Sequence, residues 1–335
     1  MKYVLRRILY FIPSLIGVVL IIFVMTRVLP GDPARMYVGE QAPQEAVEQA
    51  RVMLGLDKSY PEQFVDYVSD LLHGDLGYAW HTGHTVVDDF AQRFPATLEL
   101  AIFAILIAVL IGIPLGVLSA TRQNSPVDHF SRLLSMIGAA MPVFWLGLML
   151  VVIFYFSLGW AAAPMGRISS ALNPPTHITG LYVLDSILTG DMLALKSSLS
   201  QLILPAITLA MSSLAVIARM TRASMLETLG NDYIRTARAK GLSERVVTYK
   251  HALSNALIPI LTVLGSQFGF LLGATVVTET IFAWPGLGSY VTDAIMNTDY
   301  APIQGFALFS VLVYLIINLV LDLLYAVVDP RVRYD

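Results

Sequence analysis

The stretch NDYIRTARAKGLSERVVTYKHALSNALIP, from Asn231 to Pro259, is the most charged block in a chain that is otherwise strongly apolar. It lies between two apolar runs of membrane length, at about 200–219 and 255–281. Because charged side chains are costly inside a bilayer, the block is predicted to lie outside the membrane, between two spans. It is therefore a candidate contact for a partner outside the bilayer.

The composition is that of a membrane protein. The 335 residues are 56% apolar and 13% charged, with a mean hydropathy of +0.69, whereas soluble domains carry about 25% charged residues. The net charge of −3 is too small to indicate a nucleic-acid partner. Because the chain has no cysteine, disulfides, iron–sulfur clusters and thiol catalysis are excluded.

Six apolar runs predict six transmembrane helices, and hence an all-α membrane protein. The runs lie at about 8–29, 97–120, 133–158, 200–219, 255–281 and 304–328. The first run exceeds the roughly 7–15 apolar residues of a signal peptide, so we expect a retained first span. Prolines in or beside the runs are expected to bend them. These prolines are Pro13, Pro114, Pro142, Pro205 and Pro259.

The segment between the first two spans, residues 31–95, is polar and acidic. It is long for a loop without structure of its own. The spacing of its apolar residues predicts short amphipathic helices in a small extracytoplasmic subdomain. Those residues are Val47, Met53, Leu54, Phe64, Val65, Tyr67, Val68, Leu71 and Leu72. A metal site at His73 is disfavoured, because no second ligand lies at helical spacing.

The positions of lysine and arginine predict the orientation of the chain. Placing the N-terminus inside assigns 14 basic residues to cytoplasmic segments and 7 to the much longer outer segments. Residues 220–254 are then a cytoplasmic loop, and both termini are cytoplasmic. The expected organisation is a first span in 1–30, an outer subdomain in 31–95, a transmembrane core in 96–328 and a tail in 329–335.

The sequence contains no pattern that predicts catalysis. The motifs G-x-x-x-x-G-K-[ST], G-x-S-x-G and H-E-x-x-H are absent, and the six histidines are scattered without a paired Cys/His cluster. We therefore expect no catalytic residue, no metal site and no cofactor in this chain. Energy for uphill transport would have to come from another subunit.

Polar residues within the spans are candidates for a translocation path or for helix packing. The candidates are Ser212 and Ser213 in the fourth run, with Gln267 and Glu279 in the fifth. Beside Gln267, a stripe of glycines at four-residue spacing lets another helix approach closely. The stripe consists of Gly265, Gly269 and Gly273. The sequence leaves open whether these residues line a translocation path or pack helices together.

If the segment from Asp232 to Lys240 is helical, its side chains divide between two neighbouring sides. Tyr233, Ile234, Ala237 and Gly241 fall within an arc of about 100°, and Arg235 and Arg238 share the adjoining side. Asp232 is a candidate N-cap or first-turn acid, and Gly241 a candidate helix terminator. The pattern predicts a short amphipathic helix with small residues where a partner could approach. A helix lying on lipid headgroups fits the pattern equally well.

The charged block resembles the cytoplasmic signature loop of ABC importer permeases, in the form found in the dipeptide/oligopeptide/nickel branch. The resemblance rests on DYIRTARAKGL and HALSNALIP, and it extends to LRRIL, LPGDP, HGDLG, FPATLELA and TETIFAWPGLG. Within the branch, the chain is most similar to dipeptide permease subunits with a large outer loop after the first span. The broader family signature begins Glu-Ala-Ala, where this chain has Arg235, Thr236 and Ala237, and Pro259 lies further on than the family's proline. The peptide branch of the family differs from the broader signature in the same way.

This resemblance implies a type I ABC importer permease fold and a coupling helix seated in a groove of a cytoplasmic ATPase subunit. The implied coupling residues are Asp232, Tyr233, Ile234, Arg235, Thr236, Ala237, Arg238, Ala239, Lys240, Gly241 and Leu242. It also implies two ATPase subunits that bind ATP and Mg²⁺, a second permease from a different gene, and an extracytoplasmic substrate-binding protein. The assembly would lie among the lipids of a bacterial or archaeal inner membrane.

The implied activity is the import of dipeptides or short peptides by alternating access. Nickel chelates and glutathione are alternative substrates within the same branch. From the residues alone, the competing class is a secondary carrier or channel that works without an ATPase.

Overall fold

The computed structural model describes residues 13, 15–25, 32–39 and 41–328, and it confirms the predicted all-α fold. Its helices are α1 (Leu15–Met25), α2 (Pro33–Val38), α3 (Gln44–Met53), α4 (Tyr60–Leu72), α5 (Val86–Thr121), α6 (Pro126–Ala140), α7 (Val143–Leu150), α8 (Tyr182–Thr189), α9 (Met192–Leu229), α10 (Asp232–Ala239), α11 (Glu244–Val246), α12 (Ser254–Ile281), α13 (Leu287–Met296) and α14 (Tyr300–Val328). A short hairpin pairs β1 (Tyr78–Ala79) with β2 (His84–Thr85). The predicted tail, 329–335, lies outside the described residues, as does much of 1–30.

Within the described residues, four helices are long and apolar enough to cross a membrane. They are Val86–Thr121, Met192–Leu229, Glu244–Ile281 and Tyr300–Val320. The third of these is continuous because π-helical turns at Val247–Leu253 join α11 to α12. Of the predicted first span, the structure describes mainly the shorter apolar helix α1.

The apolar run at about 133–158, predicted to be one span, is broken in the structure into two helices that are long and apolar enough to cross a membrane only as a bent pair. Its residues belong to α6 and to a helix formed by α7 and the π-helical turns after it, and the two meet at 106°. Met141 and Pro142, at the break, have extended backbone. A proline has no N–H for the helix hydrogen bond, and its ring disfavours helical backbone at the preceding residue. The bend expected at Pro142 is thereby confirmed.

One compact unit consists of residues 1–95 and 286–315. It contains the short amphipathic helices predicted for the outer segment, because α3 buries Val47 and Ala50 and α4 lays Phe64 and Tyr67 against Phe23 of α1. At the start of α4, Ser59 and Glu62 form a reciprocal capping box. Some apolar residues used in the prediction are exposed instead, namely Met53, Val65 and Leu72.

The same unit holds the first turns of α5 together with α13 and the first half of α14. Phe90 of α5 meets Tyr290 of α13 and Phe309 of α14 edge to face, at centroid distances of 6.0 and 5.5 Å. Asp299, just before α14, is buried and accepts a hydrogen bond from the backbone N–H of His81. Burial raises the pKa of Asp299 above its usual range.

The second compact unit consists of residues 96–285 and 316–335, and α9 is its central helix. Half of the residues of α9 are buried, and the helix packs against α6, α7, α8 and α12. On its α5 side, the approach is so close that a Cβ atom on Gly116 would lie 2.5 Å from the Cβ atom of Thr221. Glycine is therefore required at this contact between α5 and α9.

Candidate functional site

The charged block forms the helix that the sequence predicts. Helix α10 spans Asp232–Ala239, with extended backbone at Asn231. Asp232 lies in the first turn, where a carboxylate is favoured by the helix dipole, so its role is that of a first-turn acid and not of an N-cap. The chain leaves the helix through Gly241, whose φ of +79° is a left-handed conformation that glycine adopts without strain.

One side of α10 is buried in the chain's own core. Ile234 is 0% exposed and Ala237 is 7% exposed, and both pack in one apolar cluster with residues of α5, α9 and α12. The other members of the cluster are Val117, Ala120, Met225, Val247, Ala252, Ala256 and Ile260. The side chain of Ala237, a small residue at which the sequence predicts a partner, is therefore covered from within the chain.

The rest of the predicted segment is exposed. The exposed residues are Asp232, Tyr233, Arg235, Thr236, Arg238, Ala239, Lys240, Gly241 and Leu242. A Cβ atom built on Gly241 would meet nothing within 4 Å, so this position is open to a partner. Basic side chains dominate the exposed surface.

The end of α10 is tied to α11 by an ion pair. Arg238 donates to both carboxylate oxygens of Glu244, over 2.8 and 3.2 Å. This hydrogen-bonded pairing raises the pKa of Arg238. Because both side chains are largely exposed, the pair contributes at most about 1 kcal/mol, and its main effect is to fix the turn at Gly241.

A buried ion pair joins three helices in the same unit. The carboxylate of Asp128, in the first turn of α6, is fully buried and accepts two hydrogen bonds from Arg222 of α9, over 2.8 and 3.0 Å. Ser119 of α5 and the backbone N–H of Asn124 complete its shell. From the sequence, Arg222 was predicted only as one of the basic residues of the cytoplasmic side. Its pairing with Asp128 could not be predicted, because the two residues are 94 positions apart.

A second buried ion pair lies near the start of α5. Arg167 donates to Glu99 over 2.7 Å and to the carbonyl oxygen of Gly180 over 2.8 Å. The guanidinium also lies 3.7 Å from the centroid of the Tyr182 ring, a cation–π geometry. The second oxygen of Glu99 accepts from the backbone N–H of Val183. Arg167 was predicted only as an outer charge, and its spacing from Glu99 gives no local signal.

This pair anchors the loop between the helix that ends at Ser157 and α8. The same loop is closed by Asp185, which accepts from the backbone N–H groups of Ile178, Thr179 and Gly180. Burial alone would raise the pKa of Asp185, but a hydrogen bond from the Thr179 hydroxyl, together with these backbone hydrogen bonds, outweighs it and holds the pKa below its usual range. The loop is thus held by buried charge at Arg167, in its interior, and at its C-terminal end.

The polar candidates in the spans occupy different environments. Glu279 is buried and accepts a hydrogen bond from Thr97 over 2.7 Å, which favours a packing role. Ser213 is fully buried, and its hydroxyl has no hydrogen-bond partner among the described residues. Ser212 and Gln267 are half-buried. Their part in a translocation path remains a prediction.

The glycine stripe of α12 differs from the contact found on α5. Gly265 and Gly269 are half-buried, whereas Gly273 is exposed and a Cβ atom there would meet nothing within 4 Å. At Gly273, the close approach predicted from the spacing is therefore not made within this chain.

Among the described residues, no group of three or more His, Cys, Asp and Glu side chains could hold a metal ion.

We expect that breaking the buried Glu99–Arg167 pair lowers the stability of the chain more than breaking an exposed pair with the same N–O distance. Removing one partner of a buried pair leaves an uncompensated charge and costs about 3–5 kcal/mol, whereas an exposed pair is worth about 0–1 kcal/mol. We expect Glu99→Gln to lower the midpoint of thermal unfolding of the purified chain clearly. The control is Asp66→Asn in the Lys58–Asp66 pair, which is also 2.7 Å long but about half exposed. Equal midpoints for the two variants would contradict this account.

Two protein-family models together match nearly the whole chain. Residues 112–334 match the family "Binding-protein-dependent transport system inner membrane component", and residues 1–101 match its N-terminal companion family. The chain is 48% identical to the probable D,D-dipeptide transport system permease protein DdpB of Escherichia coli K12, over 94% of this chain and 93% of that protein. It is 45% identical to the dipeptide transport system permease protein DppB of Alkalihalophilus pseudofirmus, over the full length of both.

The chain also matches proteins at lower sequence identity. The glutathione transport system permease protein GsiC of Escherichia coli O6:H1 is 39% identical, over 100% of this chain and 99% of that protein. Among solved structures, the MetNI methionine ABC transporter in an inward-facing conformation matches 70% of this chain and 93% of its own, with a TM-score of 0.53 at 16% identity. This last likeness shows the type I importer permease fold. The chain belongs to the family of inner-membrane permease components of binding-protein-dependent transport systems.

Proposed function

We propose that this chain is a permease subunit of an ATP-driven importer that moves dipeptides or other short peptides across a bacterial or archaeal inner membrane. The full-length similarity to permeases named for dipeptide transport supports the substrate class. The observation that supports the mechanism is that α10 has two different sides, one buried in the chain's own apolar core and the other exposed and basic.

The exposed surface of α10, from Asp232 to Leu242, is the proposed contact with a cytoplasmic ATPase subunit. ATP and Mg²⁺ would bind in two such subunits, and closure of the ATPase pair would displace α10. Because Ile234 and Ala237 pack in one cluster with residues of α5, α9 and α12, the displacement would pass to these helices as a rigid-body motion. That motion is the proposed switch between outward and inward access.

The other partners follow from the same assignment. A second, similar permease from a different gene would complete the pathway, and an extracytoplasmic binding protein would deliver the peptide. The segment 31–95, with its short helices α2 to α4, would lie outside the membrane, and residues 220–254 and 329–335 would lie in the cytoplasm. The exposed Gly273 of α12 supports a contact of this helix with a second subunit or with lipid.

The coupling role is tested at Gly241. We expect Gly241→Trp to insert into the membrane normally but to reduce uptake by the reconstituted assembly about tenfold or more, because disruption of an interface anchor costs about 2 kcal/mol or more. Gly241→Asn is the matched control, since asparagine tolerates a left-handed backbone without filling the contact. Substrate-stimulated ATP hydrolysis and uptake are measured together.

Unchanged uptake by Gly241→Trp would contradict the coupling role. If affinity purification of the wild-type chain from native membrane brings down no nucleotide-binding subunit, the importer assignment fails, and a secondary carrier or channel takes its place.

Glutathione is the second candidate substrate, because the relative named for glutathione transport covers the full chain at 39% identity. We expect an excess of unlabelled dialanine to suppress uptake of a labelled dipeptide, and the same excess of glutathione to have little effect. The control is a dipeptide of D-residues, which tests stereochemical preference in the same assay. Stronger suppression by glutathione than by dialanine would assign the chain to glutathione instead.

A further inference from the structure

A groove of about 620 Å³ lies beside the charged block, within the second compact unit. Its lining residues are Val117, Leu118, Thr121, Arg122, Glu244, Arg245, Thr248 and Tyr249. One wall is thus the last turn of α5 and the residue after it, and the other wall is α11 with the π-helical turns that follow. The volume lies within the range of about 300–1,000 Å³ that is usual for small-molecule sites.

The groove carries net positive charge. Glu244 is engaged by Arg238, so its carboxylate is already neutralised. Arg122 and Arg245 are both exposed, and among the described residues neither lies within ion-pair distance of a carboxylate. Two guanidinium groups therefore face one groove without a counter-charge from the described residues.

The remaining lining continues an apolar surface of α5. Leu118 is 40% exposed, and the exposed side chains of Ile111, Leu110 and Leu106 lie further along the same helix. Tyr249, at the other wall, is also exposed and is of the residue type enriched at membrane–water interfaces. The apolar run within α5 ends at about residue 120, so we expect Arg122, just after the helix, to lie near the level where a bilayer changes from acyl chains to headgroups.

We propose that this groove binds an anionic phospholipid, with its phosphate between Arg122 and Arg245 and an acyl chain along Leu118 and the exposed apolar side of α5. Arginine suits this ligand because its planar donors match phosphate oxygens in pairs. Basic pockets beside membrane helices are general sites for anionic headgroups. Since α11 follows α10 directly, the lipid would lie next to the proposed ATPase contact and would bind the same turn that Arg238 and Glu244 fix.

The test counts lipids that remain on the purified full-length chain, together with any subunits that purify with it. The protein is equilibrated with equal amounts of phosphatidylglycerol and phosphatidylcholine and examined by native mass spectrometry. We expect the wild type to retain phosphatidylglycerol preferentially. Arg122→Gln/Arg245→Gln should reduce that retention about thirtyfold, which corresponds to two basic residues at about 1 kcal/mol each near an anionic surface.

Two matched variants distinguish lipid binding in this groove from non-specific attraction of the lipid to basic residues. Arg219→Gln/Lys250→Gln also removes two exposed basic residues of the same unit, but neither residue lines the groove, so its lipid retention should equal that of the wild type. Arg122→Lys/Arg245→Lys keeps the charge and should retain most of the bound phosphatidylglycerol. If the glutamine variant does not fold, the lysine variant and the lipid preference of the wild type still decide the proposal.

Four results would overturn the proposal. They are equal retention of the two lipids by the wild type, undiminished phosphatidylglycerol on the glutamine variant, displacement of the lipid by inorganic phosphate at the same concentration, and loss of the ATPase subunit from the glutamine variant without loss of lipid. The third result would indicate a site for soluble phosphate. The fourth would make the groove part of the protein interface instead.

Discussion

The burial of Ile234 is the contact on which the proposed function of the charged block depends. Full burial of an isoleucine contributes about 1.5–3 kcal/mol, and here it attaches an otherwise polar eight-residue helix to the apolar core of the second compact unit. A helix of this length is marginal in water without such packing. The contact therefore explains why α10 is ordered, and in the proposed mechanism a force on the exposed side of α10 would reach α5, α9 and α12 through it.

Buried polar contacts define the geometry of the core that receives this force. Glu99 and Ser119 lie on one helix, about 30 Å apart along its axis, and each takes part in a buried ion-pair cluster. Such pairs add little net stability, but each is costly to break, so they fix which partners meet. With the glycine contact at Gly116, they favour motion of the unit as a body over sliding of α5 against α9.

The membrane class, the outer helices and α10 could be predicted from the sequence because each depends on local pattern. Apolar run length, amphipathic spacing and the residues around Gly241 all act within a few turns of chain. The break at Met141–Pro142 was signalled by proline, but its angle of 106° depends on packing. The Asp128–Arg222 and Glu99–Arg167 pairs join residues 94 and 68 positions apart, which a single sequence does not reveal. The sequence also does not show which way Ala237 faces, because small residues suit both a partner contact and a core.

The central claim is that α10 has one side committed to the core and the other to an ATPase subunit. Because the chain has no cysteine, a photoreactive residue or a single cysteine can be placed at one position without background. The direct measurement compares cross-linking from Arg235, which is 81% exposed at its side chain, with cross-linking from the buried Ala237 in the assembled transporter. The account predicts cross-links to the ATPase subunit from position 235 and cross-links within the chain from position 237. Cross-links to the ATPase subunit from position 237 at equal or greater yield would contradict it.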